Sequence, residues 1–129
     1  MPLIQFDLIE GRSKEDIRTL LDAAHGAMVE AFDVPASDRY QVVRQHPAHE
    51  MIIEDTGLGF ERTNDVVLIT VTSRPRTAEQ KQQFYQKTVE ALKRQCGISP
   101  DDVMISIVSN TDDDWSFGQG RAQFLTGDL

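Results

Sequence analysis

Met1-Pro2-Leu3-Ile4-Gln5-Phe6-Asp7-Leu8-Ile9 opens the chain, and the rest is organised around it. Ile4, Phe6 and Leu8 alternate with a second face that Leu3 and Ile9 make partly apolar, the pattern of a strand covered on both sides. With a residue as small as Pro2 in second place, cytosolic processing is expected to remove Met1 and leave a free secondary amine. An ordinary α-amino group titrates at about 7.7–8.0. One at the end of a buried strand is tuned by nearby charge and desolvation, and can act as acid, base or nucleophile. Met-Pro is equally an ordinary chain start, so the amine gains meaning only from its surroundings.

Outward from this strand, Gly11-Arg12 turns the chain and Ser13-Lys14-Glu15-Asp16 supplies a serine cap with an acidic first turn. Ile17, Leu20, Leu21, Ala24, Met28 and Ala31 recur at helical spacing up to a stop near Phe32-Asp33, before Val34-Pro35. Arg39 to His46 reads as a second strand and Met51-Ile52-Ile53-Glu54 as a short extra one, with a hairpin turn at Gly57-Leu58-Gly59-Phe60. Asp65 to Ser73 is the most β-branched stretch and is expected to be a central strand. Thr77-Ala78-Glu79-Gln80 has capping-box spacing, and the helix it opens runs to Cys96 with Gly97 at C′. Val103 to Ser109 is the last regular strand.

These elements repeat. A shift of 64 residues without a gap aligns Arg12-Ser13 with Arg76-Thr77, Leu20-Leu21 with Phe84-Tyr85, Val34 with Ile98 and Asp38 with Asp102. The expected fold is therefore α/β in the α+β sense. One domain spans 1–129, with tandem β-α-β units at 1–46 and 65–110 and a tail at 111–129. The units share a mixed sheet with both helices on one face. Pro2 falls opposite Val66 in this register. Asp38 and Asp102 both read as aspartates suited to a helix-to-strand turn. If the strands of a unit are parallel neighbours, however, Asp38 begins the second strand beside the start of the first and faces the Pro2 nitrogen.

Composition narrows the function. The 129 residues with 40% apolar content suit a single core, and no apolar run is long enough for a membrane span or a leader, so a soluble cytoplasmic protein is expected. Thirteen basic against twenty-one acidic residues give a net charge of −8, the wrong sign for nucleic acid. A lone Cys96 leaves no intramolecular disulfide or cysteine-rich metal site and fits a reducing compartment. His46 and His49, read as loop residues, have only a weak metal spacing, and no metal is expected. His25, among helical alanines, reads as a packing or surface residue.

The chemistry concentrates at Ser73-Arg74-Pro75-Arg76-Thr77. Cations at a helix N-terminus oppose the dipole, so two arginines there are not what stability alone selects. Together with the free N–H groups after Thr77, their planar forks suit a carboxylate. The alternative is that both arginines bridge surface acids. If the ligand is an acid, they supply the positive field that the rest of the surface lacks.

Taken together, Pro2 at the head of an apolar strand, Asp-Leu-Ile-Glu-Gly-Arg at 7–12, Leu-Leu-Asp-Ala-Ala-His-Gly-Ala-Met-Val-Glu-Ala-Phe at 20–32, Asp38-Arg39-Tyr40, Glu-Asp-Thr-Gly-Leu-Gly at 54–59, Ser-Arg-Pro-Arg at 73–76, Cys-Gly-Ile-Ser-Pro-Asp-Asp-Val at 96–103 and Asp-Trp-Ser-Phe-Gly at 114–118 resemble the malonate semialdehyde decarboxylases of the tautomerase superfamily. The likeness runs to Phe-Leu-Thr-Gly-Asp-Leu at 124–129. It implies a homotrimer of double β-α-β protomers with an amino-terminal catalytic proline. By this resemblance Pro2 is the proton-bearing amine, Asp38 its carboxylate partner, and Arg74 and Arg76 the holders of the substrate carboxylate. Trp115, Phe117, Phe124 and Leu129 form an apolar wall.

The implied activity is decarboxylation of the 3-oxo acid malonate semialdehyde to acetaldehyde and carbon dioxide, with weaker hydration of activated acetylenic acids. The substrate's own carbonyl takes the electrons, so neither a metal nor an organic cofactor is needed. The alternatives are another proline-dependent enzyme of the superfamily, such as a cis-3-haloacrylate dehalogenase or an enol–keto tautomerase, and a noncatalytic trimer on the same fold.

Overall fold

The computed structural model describes residues 2–129; Met1, and with it the expected removal of that residue, lies outside the described residues. Strand β1 (Leu3–Ile9), helix α1 (Lys14–Phe32) and strand β2 (Tyr40–His46) make the first unit; β3 (Val67–Ser73), α2 (Ala78–Cys96) and β4 (Val103–Ser109) make the second. A short helix α3 (Gln123–Thr126) lies in the tail. The strand order is β2-β1-β3-β4, parallel within each unit and antiparallel where β1 meets β3. The two units thus lie side by side in opposite directions. The starts of β1 and β2 share one end of the sheet with the finishes of β3 and β4.

Local chemistry sets the helix limits. Ser13 accepts a hydrogen bond from the Asp16 amide, and Thr77 and Gln80 exchange a reciprocal pair at 3.0 Å each. Caps of this kind contribute about 1 kcal/mol each. Helix α2 ends on Gly97 at φ 67°, a left-handed position that glycine takes without strain, whereas α1 ends on Asp33 at φ 52°. Ile4, Phe6 and Leu8 of β1 and Val67, Ile69 and Val71 of β3 pack against Leu20, Ala24, Met28 and Phe32 of α1 and Phe84 and Leu92 of α2. Phe32 and Phe84 stack at 5.1 Å between the helices. Both helices therefore cover one face, and Tyr40, Val42, Met104 and Val108 stand exposed on the other. Among the described residues no helix is long and apolar enough to cross a membrane.

The connection between the units differs from its expected form. Met51–Glu54 makes no strand, and Gly57–Phe60 is no hairpin turn. Asp55 folds this segment instead, accepting from the amides of Gly59 at 2.7 Å and Phe60 at 3.3 Å. An apolar run becomes a strand only where a sheet edge accepts its ladder, and here side chains of the second unit hold the segment. Arg62 donates to the Asp101 carbonyl at 2.6 Å, and the Thr63 amide and hydroxyl donate to the Asp102 carboxylate at 2.7 and 2.6 Å. Asp102 is therefore more than a turn residue: it is buried, and it anchors the connection. His46 ends β2 rather than lying in a loop, with Nε2 2.7 Å from the Asp7 carboxylate.

Candidate active site

The end of the sheet where β1 begins gathers the residues singled out above. Leu3 pairs with Tyr40 on one side and Thr72 on the other. One step further along both registers, buried Pro2 sits between Arg39 and Ser73. Asp38 immediately precedes that position on the β2 side, and Arg74 immediately follows it on the β3 side. Parallel pairing of β1 with β2 makes this juxtaposition, because it brings the two strand starts level.

Ser73 organises the arginines. It is fully buried, its hydroxyl donates to the Arg74 carbonyl at 2.8 Å, and it accepts from Arg76 Nε at 3.2 Å. Arg76 also donates from Nη1 to the Phe32 carbonyl at 3.4 Å and lies 5.0 Å from the centre of the Phe32 ring. Arg76 opens one helix but meets the carbonyl end of the other, where the dipole welcomes a cation. Burial lowers its pKa, and so does the neighbouring Arg74, while the Asp38 carboxylate opposes both. Arg74 lies 4.0 Å over the Phe124 ring, with Nη1 3.1 Å from Asp112 and a buried Nε that has no partner among the described residues. Bridging to a surface acid thus describes Arg74, whereas Arg76 is held by backbone, hydroxyl and ring.

Asp38, Arg74, Arg76, Phe124 and Leu129 line one cavity of about 350 Å³, closed on a further side by the Asp33-Val34-Pro35 loop. Pro2 is not among its lining residues, and neither are Trp115 and Phe117. Those two aromatics stand behind Phe124: Trp115 stacks on Phe117 at 5.3 Å, and Phe117 meets Phe124 edge-on at 5.4 Å. Three residues given no role in the sequence analysis belong to this assembly. Tyr40 stacks on Phe117 at 5.6 Å, Asn110 accepts from Trp115 Nε1 at 2.8 Å while its amide donates to the Ser73 carbonyl, and Asp112 pairs with Arg74. The available signal was position, since Tyr40 starts β2 and Asn110 follows β4 directly.

Two guanidiniums, a carboxylate and the head of a strand beside an apolar wall suit a small anionic substrate whose charge redistributes during reaction. Known proteins share the sequence and the fold. Two family models, each described as tautomerase enzyme, match residues 38–118 and 2–61. A relative from Bacillus subtilis (strain 168) described as "Probable tautomerase YrdN" is 57% identical over the full length of both chains. A malonate semialdehyde decarboxylase, solved in wild-type, mutant and inactivated forms to explain decarboxylase and hydratase activities, is 63% identical over 98% of each chain, with a TM-score of 0.96. Another, inhibited by 3-bromopropiolate, is 44% identical over 98% of this chain and 97% of its own, with a TM-score of 0.94. The double β-α-β fold is the one these proteins share, and the chain belongs to the tautomerase family.

Proposed function

We propose that this protein is a carbon–carbon lyase that decarboxylates malonate semialdehyde to acetaldehyde and carbon dioxide without a cofactor, and hydrates activated acetylenic acids more slowly. The observation that carries this reading is the convergence of Arg74, Arg76 and Asp38 on one cavity at the end of the sheet that Pro2 opens. Arg74 and Arg76 bind the substrate carboxylate and hold the breaking C–C bond perpendicular to the carbonyl plane, the torsion that cleavage requires. Protonated Pro2 donates to the aldehyde oxygen. As the bond breaks, its electron pair forms the C=C bond of an enolate, the carbonyl π pair moves to oxygen and carbon dioxide departs. A proton drawn from solvent then adds to the former α-carbon to give acetaldehyde. Negative charge thus travels from the arginines towards the ammonium, so the cationic proline is favoured most in the transition state. Phe124 and Leu129 keep this end of the cavity less polar than water.

The pH profile tests the assignment on Met-free protein. The Asp38 carboxylate raises the pKa of Pro2 by favouring its charged form, so kcat/KM falls as pH rises past that pKa. In Asp38→Asn the decline moves to lower pH. A profile that rises with pH, together with a borohydride-trapped adduct on Pro2, would replace the ammonium route with an iminium formed by neutral proline. Activity with Met1 retained would defeat both.

A second reading, enol–keto tautomerisation, is favoured by the naming of the 57% identical relative. Comparing kcat/KM for malonate semialdehyde, haloacrylic acids and enolic 2-oxo acids separates it from the first. In either case we propose a cytoplasmic homotrimer, because exposed Tyr40, Val42, Met104 and Val108 and the open sheet edges call for cover. A stable monomer in light scattering at micromolar concentration would exclude the trimer.

A further inference from the structure

We propose that His25 is a positioning residue that sets Asp38 relative to Pro2; this rests on the reading of Asp38 as the partner of the proline. His25 lies on α1, is 9% exposed, and has Nε2 2.7 Å from the carbonyl oxygen of Ala36. A carbonyl only accepts, so Nε2 carries the hydrogen and donates it. Ala36 lies two residues before Asp38, in the loop that leaves α1 and borders the cavity. The Asp38 amide donates to the Pro35 carbonyl at 2.9 Å, so Pro35 to Asp38 form a single turn. Among the described residues, His25 makes the only side-chain hydrogen bond that reaches the Val34–Asp38 stretch. Ala36 itself is exposed and adds no core packing to hold the turn.

Two features argue against simple packing. Nδ1 of His25 is buried with no hydrogen-bond partner, a cost that an apolar side chain at this site would avoid. The imidazole is therefore accounted for by the one bond at Nε2. The second unit provides an internal control, because the 64-residue shift places Val89 at the position of His25. There the corresponding aspartate, Asp102, is held directly by the Thr63 amide and hydroxyl, and no anchor from α2 is present among the described residues. In the first unit, where the Asp38 carboxylate faces the cavity, the tether acts on the turn and leaves the carboxylate unoccupied. Displacement of a reacting partner by about 1 Å costs up to 10²-fold in rate, so a remote tether can matter.

The test compares His25→Leu, which removes the donor, with His25→Gln, whose Nε2 has the same reach. His25→Leu is expected to lower kcat about tenfold with KM changed less than about twofold, since both arginines stay in place. His25→Gln recovers to within about threefold of the parent. His25→Asn, polar but too short to reach Ala36, behaves like the leucine variant and replaces it should that one fold poorly. In an Asp38→Asn background His25→Leu has no further effect on kcat.

Titration of the proline nitrogen by NMR on ¹⁵N-proline-labelled, Met-free protein gives a readout independent of turnover. Asp38→Asn lowers the Pro2 pKa, His25→Leu lowers it less, and His25→Gln restores it. A response to Asp38→Asn but not to His25→Leu overturns the positioning role and leaves the Asp38 assignment standing. No response to either overturns both. A fall in Tm with kcat and the proline titration unchanged assigns His25 to packing and overturns the proposal.

Discussion

The two ends of the sheet are built from the same parts and use them differently. Asp38 and Asp102 hold matching places ahead of β2 and β4, Pro2 matches Val66, and Arg76 matches Arg12. At the second unit's end the connecting segment consumes these groups. Thr63 donates twice to Asp102, its carbonyl accepts from the Val66 amide at 3.1 Å, and Arg12 donates to the Asp65 carbonyl at 2.7 Å. At the first unit's end Asp38 and Arg76 line an open cavity, and the Asp38 carboxylate has no hydrogen-bond or ion-pair partner among the described residues. A carboxylate satisfied by its own backbone contributes to stability. One left facing a cavity is available for chemistry, at some cost in desolvation.

The strongest way to break the comparison is to convert one end into the other. A single residue retained ahead of Pro2 turns its amine into an amide, as at Val66, and turnover is expected to fall about 10³-fold or more, the range lost with a general acid. Intact mass and activity on the same sample check this. Next, Arg74→Ala and Arg76→Ala should each lower kcat/KM about 10²-fold without unfolding the domain, whereas Arg12→Ala should leave turnover within about twofold because its guanidinium serves the fold. Equal losses at Arg12 and Arg76 would erase the distinction.

Stability should show the opposite preference. Asp102→Ala leaves the Thr63 donors unpaired and is expected to cost about 2 kcal/mol in denaturant unfolding. Asp38→Asn should cost under about 0.5 kcal/mol, the range of sites without such partners, while still moving the pH profile.

The smallest effect lies within the connecting segment. Burial would raise the Asp55 pKa, but the amides of Gly59, Phe60, Gly57 and Leu58 together hold it below the ordinary 3.8. A depressed carboxylate pKa gives a contribution that is complete above the unfolded value and is lost as pH falls through the folded one. The Gly59 and Phe60 amide resonances should therefore shift together below pH 3.8, and Asp55→Asn should abolish that transition.

The four strands, the two long helices and their arrangement as two repeated units were legible in the residues alone. Each of these rests on local or periodic signals. Ile4, Phe6 and Leu8 alternate with period two, Thr77 and Gln80 cap within one turn, and the 64-residue shift needs no contact map. Tertiary structure alone decided what became of equivalent residues. Residues 51–54 have the composition of a strand but pair with no strand among the described residues, and later in the same connection Arg62 and Thr63 reach residues 39 positions away. Arg76 stands at the start of one helix, yet its electrostatic partner is the Phe32 carbonyl of the other, 44 positions earlier. His25 resembled any half-polar helix residue until the chain returned Ala36 to it. Asp38 and Asp102 occupy matching places in the repeat, and their fates part because a hydrogen bond depends on which donor arrives within about 3 Å, a matter of chain path that local pattern does not encode.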